Sequence, residues 1–121
     1  MSMRWRDWSL VALVIVLAFG AAWALQQRRE SQDARAAVEM RALAKPGDIV
    51  MLSAAGCEMC GPARRWFMSA QVPLQECPID QEQSCAQRYH ALGFKGLPVF
   101  LVRGQPVHGW ERDKMLELLK P

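Results

Sequence analysis

The sequence predicts a small α/β domain preceded by one transmembrane helix, and three observations support this prediction. Residues 8–25 form an apolar run that carries no charge. From residue 47 onward, short apolar runs alternate with helix-forming segments in the order β-α-β-α-β-β-α. All four cysteines lie in this second part, where cross-links help a domain whose core is small.

The length and composition indicate one globular domain. A chain of 121 residues is long enough for one domain and too short for two. Hydrophobic residues make up 51% and charged residues 22%, which excludes a disordered chain. Lys and Arg number 15 against 12 Asp and Glu, and a formal charge of +3 is too small to indicate nucleic-acid binding. We expect a monomer without a nucleic-acid partner.

The apolar run matches the thickness of a membrane. As a helix, residues 8–25 would span roughly 27 Å, close to the hydrocarbon core of a bilayer. Trp5, Trp8 and Trp23 lie near its two ends, where amphipathic rings favour the membrane interface. A core helix this apolar does not fit so small a domain. We therefore predict a short tail over residues 1–7 and a signal anchor over residues 8–25.

A cleaved signal peptide is the alternative to an anchor. Ala22-Trp23-Ala24 has the small-x-small form that cleavage requires, but the apolar run is longer than the usual core of a signal peptide. Basic residues leave the orientation open, because two arginines precede the run and four follow it before residue 45.

A helical linker is predicted over residues 26–46. Residues 26–45 contain no Gly or Pro and are rich in Ala, Glu and Arg, which is helix-forming composition; a frayed tether is the alternative. Lys45-Pro46-Gly47-Asp48 ends any helix and forms a turn, so the domain is predicted to cover residues 47–121. The linker has a weak apolar face, formed by Ala34, Ala37, Val38 and Ala42.

The domain begins with a strand, a helix and a second strand. Residues 48–53 are an apolar run bounded by turn residues, which is typical of a buried strand. Pro62 suits the first turn of a helix, where its missing N–H costs nothing, and this helix continues to Ala70. Residues 73–77 form the second strand. Two methionines are expected in the core, Met51 and Met68.

A capped helix follows the second strand. Asp80 is a good N-cap, with Gln83 as its capping-box partner. The helix is predicted over residues 81–92, and Gly93 would end it.

Two strands and a helix complete the domain. Residues 98–102 form a strongly apolar third strand, and a tight turn leads to a fourth strand over residues 106–109. Pro106 favours an edge position or the start of a strand, because proline cannot donate to a sheet ladder. The last helix covers residues 111–119 and is amphipathic.

Cys57 and Cys60 form a Cys-x-x-Cys motif between the first strand and the first helix of the domain. Backbone N–H groups and the helix dipole stabilise a thiolate at a helix N-terminus, and the thiolate is the attacking species in thiol–disulfide exchange. Cys57 is therefore the candidate nucleophile and Cys60, one turn later, the candidate resolving thiol. The charge of Glu58 disfavours the thiolate and the charges of Arg64 and Arg65 favour it, so the balance stays open.

Zinc binding and a purely structural disulfide are the rival interpretations of this motif. A zinc ribbon requires a second C-x2-C pair, whereas the spacing here is C-x2-C-x16-C-x7-C. We therefore expect no metal site.

Gly96-Leu97-Pro98 opens the third strand. A cis bond before Pro98 is plausible because such bonds serve at tight turns, and a trans proline that merely starts a strand is the alternative. The cis form would place the backbone of Leu97 against the cysteine pair, where it offers strand-like pairing to an extended substrate. We predict Pro98 as part of the catalytic site, and Glu58, Met59 and Leu97 as substrate-binding residues.

Together, these residues resemble the thioredoxin-fold superfamily, and specifically the glutaredoxins and glutaredoxin-like redoxins. The resemblance covers Gly47 to Leu119 and is carried by three segments, Ser53-Ala-Ala-Gly-Cys-Glu-Met-Cys60, Gly96-Leu-Pro-Val-Phe100 and Gly109-Trp-Glu-Arg-Asp113. It implies a four-stranded mixed sheet flanked by three helices, with Cys57 as nucleophile, Cys60 as resolving thiol and a cis bond at Pro98.

Several positions depart from the pattern of the family. Many glutaredoxins carry a Lys shortly before the first Cys, which pairs with a glutathione carboxylate, whereas Ala54 and Ala55 occupy that stretch here. In the last loop, Gly109-Trp110 with Asp113 stands where glutaredoxins have a Gly-Gly and Asp pair. These departures argue against glutathione, and we expect no cofactor.

Cys77 and Cys85 form the second cysteine pair. The turn between them brings the two close enough for a structural disulfide, which would stabilise the domain by about 2–3 kcal/mol and points to an oxidising compartment. Two independent thiols, or a second redox pair that relays electrons to Cys57, are the alternatives. With the N-terminal span, the bridge predicts a single-pass protein of the bacterial inner membrane whose domain faces the periplasm.

The sequence therefore predicts a membrane-anchored thiol–disulfide oxidoreductase that acts on protein cysteines. The alternative is a non-enzymatic binding or assembly module whose cysteines are structural or bind metal. The direction of electron flow depends on a reduction potential that Glu58 and Met59 do not fix.

Overall fold

The computed structural model describes residues 4–121 and confirms the predicted order of elements. These are α1 (Trp5–Leu43), β1 (Ile49–Ser53), α2 (Cys60–Ala70), β2 (Gln75–Pro78), α3 (Gln83–Leu92), β3 (Val99–Val102), β4 (Gln105–His108) and α4 (Arg112–Leu119). The chain divides into two compact units, Met1–Asp33 and Ala34–Pro121. Residues 1–3 of the predicted tail lie outside the described residues, and the tail is shorter than expected because α1 already begins at Trp5.

The N-terminal unit contains the apolar part of α1 and the polar residues that follow it up to Asp33. Its large hydrophobic side chains are exposed throughout, among them Val16, Phe19 and Trp23. None of the most apolar 18-residue stretch is buried, which excludes a core helix. The helix is long and apolar enough to cross a membrane, a property that a signal sequence near the N-terminus shares.

The second unit is built on a four-stranded mixed sheet with the order β2-β1-β3-β4. β1 pairs with β2 in parallel and with β3 in antiparallel fashion, and β3 pairs with β4 in antiparallel fashion. Every residue of β1 and β3 is buried, because both faces of these central strands are covered, and this explains their unbroken apolar sequences. β4 lies at an edge of the sheet, as Pro106 predicted.

Alternating residues of β1 and β3 point into two cores, one on each face of the sheet. The first core contains Met51 and Phe100 and is completed by side chains of α1, α2 and α4, chiefly Met40, Phe67, Met115 and Leu119. The second core contains Leu52 and Val99 and is completed by Cys77 and Cys85. The alternation follows from the two-residue period of a strand.

The C-terminal end of α1 belongs to the domain and is not a free linker. Ala36, Met40 and Ala44 are spaced four residues apart, so they share one helix face, and all three are buried. The predicted apolar face was wrong at Ala34, Val38 and Ala42, which are exposed, Val38 to 61%; only Ala37 is partly buried. The compact unit therefore begins at Ala34 and not at residue 47.

Truncating Met40 tests this part of the core. Met40→Ala is expected to lower the free energy of unfolding by about 2–5 kcal/mol, because it leaves a cavity under a fully buried side chain. Val38→Ala, on the exposed face of the same helix, is the matched control and is expected to change stability by less than about 0.5 kcal/mol. Chemical denaturation of both variants gives the comparison. Equal effects of the two substitutions would show that this helix end does not pack on the domain.

Two further expectations about helices need correction. Met68 is 72% exposed, because α2 turns Ala63, Phe67 and Ala70 toward the sheet and the residue after Phe67 falls on the opposite face. α3 begins at Gln83 with Glu82 at the N-cap position, where no side chain caps the helix. Asp80 does not cap it, since its carboxylate accepts a hydrogen bond from the backbone N–H of Ala55.

The end of α3 is as predicted, because Gly93 ends the helix with a φ of 74°.

Arg103 joins three parts of the domain at the turn between β3 and β4. Arg103 and Gly104 have φ values of 49° and 85°, the positive angles that a type I′ hairpin turn requires. The guanidinium group donates hydrogen bonds to the Leu43 and Leu119 carbonyl oxygens and to the Asp48 carboxylate. The ends of α1 and α4 are thereby tied to the start of β1.

The carboxylate of Asp48 makes the stability of this junction depend on pH. The backbone N–H of Lys45, followed by the charge of Arg103, holds the pKa of Asp48 below its usual value. A lowered folded-state pKa stabilises the protein above the unfolded pKa of about 3.9, and this stabilisation is lost as the pH falls through the folded pKa. In urea unfolding, Asp48→Asn is therefore expected to be less stable than wild type above about pH 5, with the difference shrinking below about pH 4. A difference independent of pH would contradict this role.

Candidate functional site

The Cys57–Cys60 pair lies between β1 and α2. The two residues form a disulfide with their Cα atoms 5.4 Å apart. α2 begins at Cys60, so Cys57 lies in the turn that precedes the helix and not in its first turn. The backbone N–H of Cys57 donates to the Ala54 carbonyl oxygen at 3.1 Å, which closes that turn.

The two cysteines differ in exposure. Cys57 is half-buried, whereas Cys60 is only 2% exposed. A nucleophile must reach an external sulfur, while a resolving thiol needs to reach only its neighbour. Of the two residues, Cys57 is the more exposed.

An open groove runs beside Cys57, with two walls that come from different parts of the chain. The cysteine wall consists of Ala54, Gly56, Cys57, Glu58 and Met59. The opposite wall consists of Gly96 and Leu97, and we call it the proline wall because these residues directly precede the cis Pro98. Tyr89 also lines the groove. The fold thus brings the predicted substrate-binding residues Glu58, Met59 and Leu97 together around the candidate nucleophile.

Pro98 is buried directly after Leu97, a residue that lines the groove. The Leu97–Pro98 peptide bond is cis, as the resemblance implies. Pro98 is fully buried and does not line the groove, in contrast to Leu97. Its carbonyl oxygen accepts a hydrogen bond of 2.9 Å from the backbone N–H of Gly109, which connects it to the end of β4.

Two residues of this region were missed or misassigned by the sequence analysis. The Tyr89 hydroxyl accepts a 2.8 Å hydrogen bond from the backbone N–H of Gly96, and the Asp80 carboxylate accepts one of 3.0 Å from the backbone N–H of Ala55. Tyr89 could have been found from its position four residues after Cys85, because residues with this spacing lie on the same face of a helix. The signal for Asp80 was its place directly after the second strand, at the edge where β1 also ends.

The structure places the three charged side chains that were weighed around Cys57, those of Glu58, Arg64 and Arg65. Arg64 forms an ion pair with Glu76 of β2, so its charge is already matched there. The guanidinium of Arg65 lies over Gly61, where one of its nitrogens is 3.5 Å from the position that a Cβ atom would take. Glu58 is exposed at the rim of the groove.

An aromatic cluster packs behind α2. The Trp110 ring lies 5.4 Å from Trp66, 5.3 Å from Phe67 and 5.5 Å from Phe100, measured between ring centroids. The guanidinium of Arg112 lies over both tryptophans, 5.5 Å from the Trp66 ring and 5.8 Å from the Trp110 ring. Trp110, which stands where glutaredoxins have a small residue, thus fills this space with a ring packed against α2.

The second cysteine pair links β2 to α3. Cys77 and Cys85 form a disulfide with their Cα atoms 5.4 Å apart, and both are buried in the second core. The Glu82 carboxylate lies 3.3 Å from the Cys85 sulfur. Glu82 and the two cysteines are close enough to share a metal ion, but the sulfurs would first have to be reduced to thiolates.

Comparisons with known proteins agree with this architecture. The thioredoxin-like protein BC3987 superimposes with a TM-score of 0.50 at 17% identity, over 58% of this chain and 97% of that protein. A mutant of the same protein gives 0.51 at 18% identity, over 60% and 99%. A glutaredoxin from Archaeoglobus fulgidus gives 0.49 at 19% identity, over 61% of this chain and 87% of its own.

The superpositions on BC3987 and on its mutant show a thioredoxin-like fold. No protein-family model and no curated protein sequence matches the chain. Within this fold, Cys57 and the residues Gly96 and Leu97 that precede the cis proline line one groove.

Proposed function

We propose that this chain is a membrane-anchored thiol–disulfide oxidoreductase that acts on protein cysteines through Cys57 and Cys60. The observation that carries the proposal is the asymmetry of the pair: Cys57 is half-buried and lines an open groove, whereas its disulfide partner Cys60 is buried and does not line it. A purely structural disulfide has no need of an open groove beside one of its sulfurs.

The exchange proceeds in two steps. In the direction of substrate reduction, the Cys57 thiolate attacks one sulfur of the substrate disulfide. A Cys57–substrate S–S bond forms, the substrate S–S bond breaks, and the released sulfur takes up a proton. The Cys60 thiolate then attacks the Cys57 sulfur, which forms the Cys57–Cys60 bond and releases the second substrate sulfur as a thiol. Two electrons pass to the substrate, and the reverse sequence oxidises a substrate dithiol.

An extended protein segment fits the groove as the substrate. Met59 is 47% exposed and Leu97 is half-buried on the opposite wall, so both offer apolar surface beside Cys57. The Leu97 backbone would pair with an extended segment as a strand does. The proposal includes no cofactor, because the Lys that pairs with glutathione in many glutaredoxins is replaced by Ala54 and Ala55.

We place the protein in the bacterial inner membrane, as a single-pass protein with its domain in the periplasm. The support is the exposed apolar helix before residue 26, together with the Cys77–Cys85 bridge, since structural disulfides are typical of oxidising compartments. In this compartment the enzyme would contribute to redox homeostasis. The anchor would hold it near membrane proteins that exchange electrons with it.

A turnover assay combined with metal analysis tests the proposed function. The full chain in detergent micelles, with dithiothreitol as electron donor, is expected to reduce the disulfides of insulin over many cycles and to contain no stoichiometric zinc. The reduced protein should also be alkylated rapidly at Cys57. Stoichiometric zinc, a Cys57 that resists alkylation and no turnover would instead establish a binding or assembly module.

A further inference from the structure

The chain between Cys77 and Tyr89 contacts both walls of the groove, although it contains neither catalytic cysteine. It includes the loop after β2 and most of α3. One hydrogen bond connects it to the loop of the cysteine wall and another to the proline wall. The geometry of both walls thus depends on a single segment.

Asp80 holds the loop that carries Cys57. Its Oδ2 atom accepts a hydrogen bond of 3.0 Å from the backbone N–H of Ala55, two residues before the nucleophile. Next to it, the backbone N–H of Ile79 donates to the Ser53 carbonyl oxygen at 2.8 Å. The loop after β1 is therefore fixed to the loop after β2 by two consecutive residues.

Tyr89 holds the opposite wall. Its hydroxyl oxygen accepts a 2.8 Å hydrogen bond from the Gly96 backbone N–H and lies 3.4 Å from the Gly96 carbonyl oxygen. Gly96 has a φ of 108°, an angle that residues with a Cβ atom rarely adopt. The hydroxyl thus holds the loop at a backbone position that favours glycine, directly before Leu97.

The Cys77–Cys85 bridge holds both of these residues in place. Asp80 lies inside the loop that the bridge closes, and Tyr89 follows Cys85 by one helical turn. The bridge is buried in the second core and links β2, which ends just before Asp80, to α3, which carries Tyr89.

We propose that Asp80 and Tyr89 are positioning residues that set the spacing between the two walls of the groove, with the Cys77–Cys85 bridge as their common support. The role rests on the proposed function, because the groove matters only when a protein substrate docks in it. The proposed role concerns the docking of a protein substrate and not the exchange chemistry. The rate with a disulfide too small to span the groove should therefore not depend on Asp80 or Tyr89.

Variants that remove one hydrogen bond each test this role. Tyr89→Phe keeps the ring and removes the hydroxyl, and Asp80→Ala removes the acceptor. For insulin as substrate, each is expected to lower kcat/KM about fivefold, the factor that one hydrogen bond of ordinary net strength represents, mainly through a higher KM. With hydroxyethyl disulfide, a small substrate, the rate should stay at the wild-type value. Gln87→Ala, an exposed position on the same helix, is the matched control and should change neither rate.

A conservative variant of Asp80 separates the effect of its hydrogen bond from the effect of its charge. Asp80→Asn keeps an oxygen acceptor for the Ala55 N–H and removes the charge, so it is expected to restore most of the insulin activity that Asp80→Ala loses. The pH profile of Cys57 alkylation should be the same in all of these variants. Circular dichroism establishes that each variant is folded before its rates are compared.

Three results would overturn the proposed role of Asp80 and Tyr89, and a fourth would overturn the proposed function as well. Insulin kinetics at the wild-type level in both Tyr89→Phe and Asp80→Ala would overturn it. An equal loss with insulin and hydroxyethyl disulfide, or a shifted alkylation profile, would also overturn it, since either result places the effect on the chemistry of Cys57. A wild type that reduces neither substrate would overturn the proposed function itself, and this inference with it.

Discussion

A Cys57→Ser variant is expected to lose thiol–disulfide turnover completely. A serine hydroxyl is not ionised near neutral pH and forms no S–S bond, so the first step of the exchange has no substitute in this site. Loss of the nucleophile removes the first step of the reaction, whereas loss of a binding contact only slows it. We therefore expect the rate to fall by at least about three orders of magnitude. The measurement is the release of thiols from insulin and from hydroxyethyl disulfide by the full chain in micelles.

The second cysteine pair provides the control for this variant. A double substitution of Cys77 and Cys85 by serine removes two sulfurs of the same kind from outside the groove. It is expected to keep its activity toward hydroxyethyl disulfide, because that substrate requires only Cys57 and Cys60. If Cys57→Ser retained turnover, or if the double variant alone lost it, the assignment of the nucleophile would be wrong.

A Cys60→Ser variant is expected to accumulate a covalent complex with its substrate. Cys57 still attacks, but no thiol remains to break the Cys57–substrate bond. Serine is close to cysteine in size and Cys60 is a buried first residue of α2, so the substitution should leave the helix in place. Non-reducing gel electrophoresis and mass spectrometry of the reaction with insulin should show one substrate chain bound through Cys57.

The trapped complex also reports on the proposed roles of the two cysteines. It should disappear on addition of dithiothreitol and should not form in a variant that lacks both Cys57 and Cys60. If Cys60→Ser turned over insulin at the wild-type rate without a trapped complex, Cys60 would not be the resolving thiol. The proteins trapped by this variant in cells would identify its natural partners.

The strands were predictable because their local sequence and their tertiary setting agree. β1 and β3 are buried on both faces, and a strand in that position is apolar throughout, which is the pattern of residues 49–53 and 99–102. Gly93 ended a helix as predicted, because a left-handed cap needs no distant partner. The cis bond at Pro98 followed from the resemblance to a family and not from the proline alone.

The errors arose where a distant partner decides the role of a side chain. Asp80 has the sequence of an N-cap, but the Ala55 N–H, 25 residues earlier, competes for the same oxygen and binds it. Val38 and Met40 both suit a helix face, and only the sheet beneath α1 determines that Met40 is the buried one. The hydrogen bond between Tyr89 and Gly96 depends on the course of the loop that separates them. No local sequence pattern predicts that course.

The most direct test of the central claim is a redox titration of the full chain that follows each cysteine separately. The protein in detergent micelles is equilibrated in graded glutathione buffers, its thiols are trapped by alkylation, and each cysteine is quantified by mass spectrometry. We predict that Cys57 and Cys60 titrate reversibly together as a two-electron couple while Cys77 and Cys85 stay oxidised, and the midpoint then identifies a reductase or an oxidase. A Cys57–Cys60 pair that never changes its oxidation state, or four sulfurs that change together with bound metal, would contradict the assignment of an oxidoreductase.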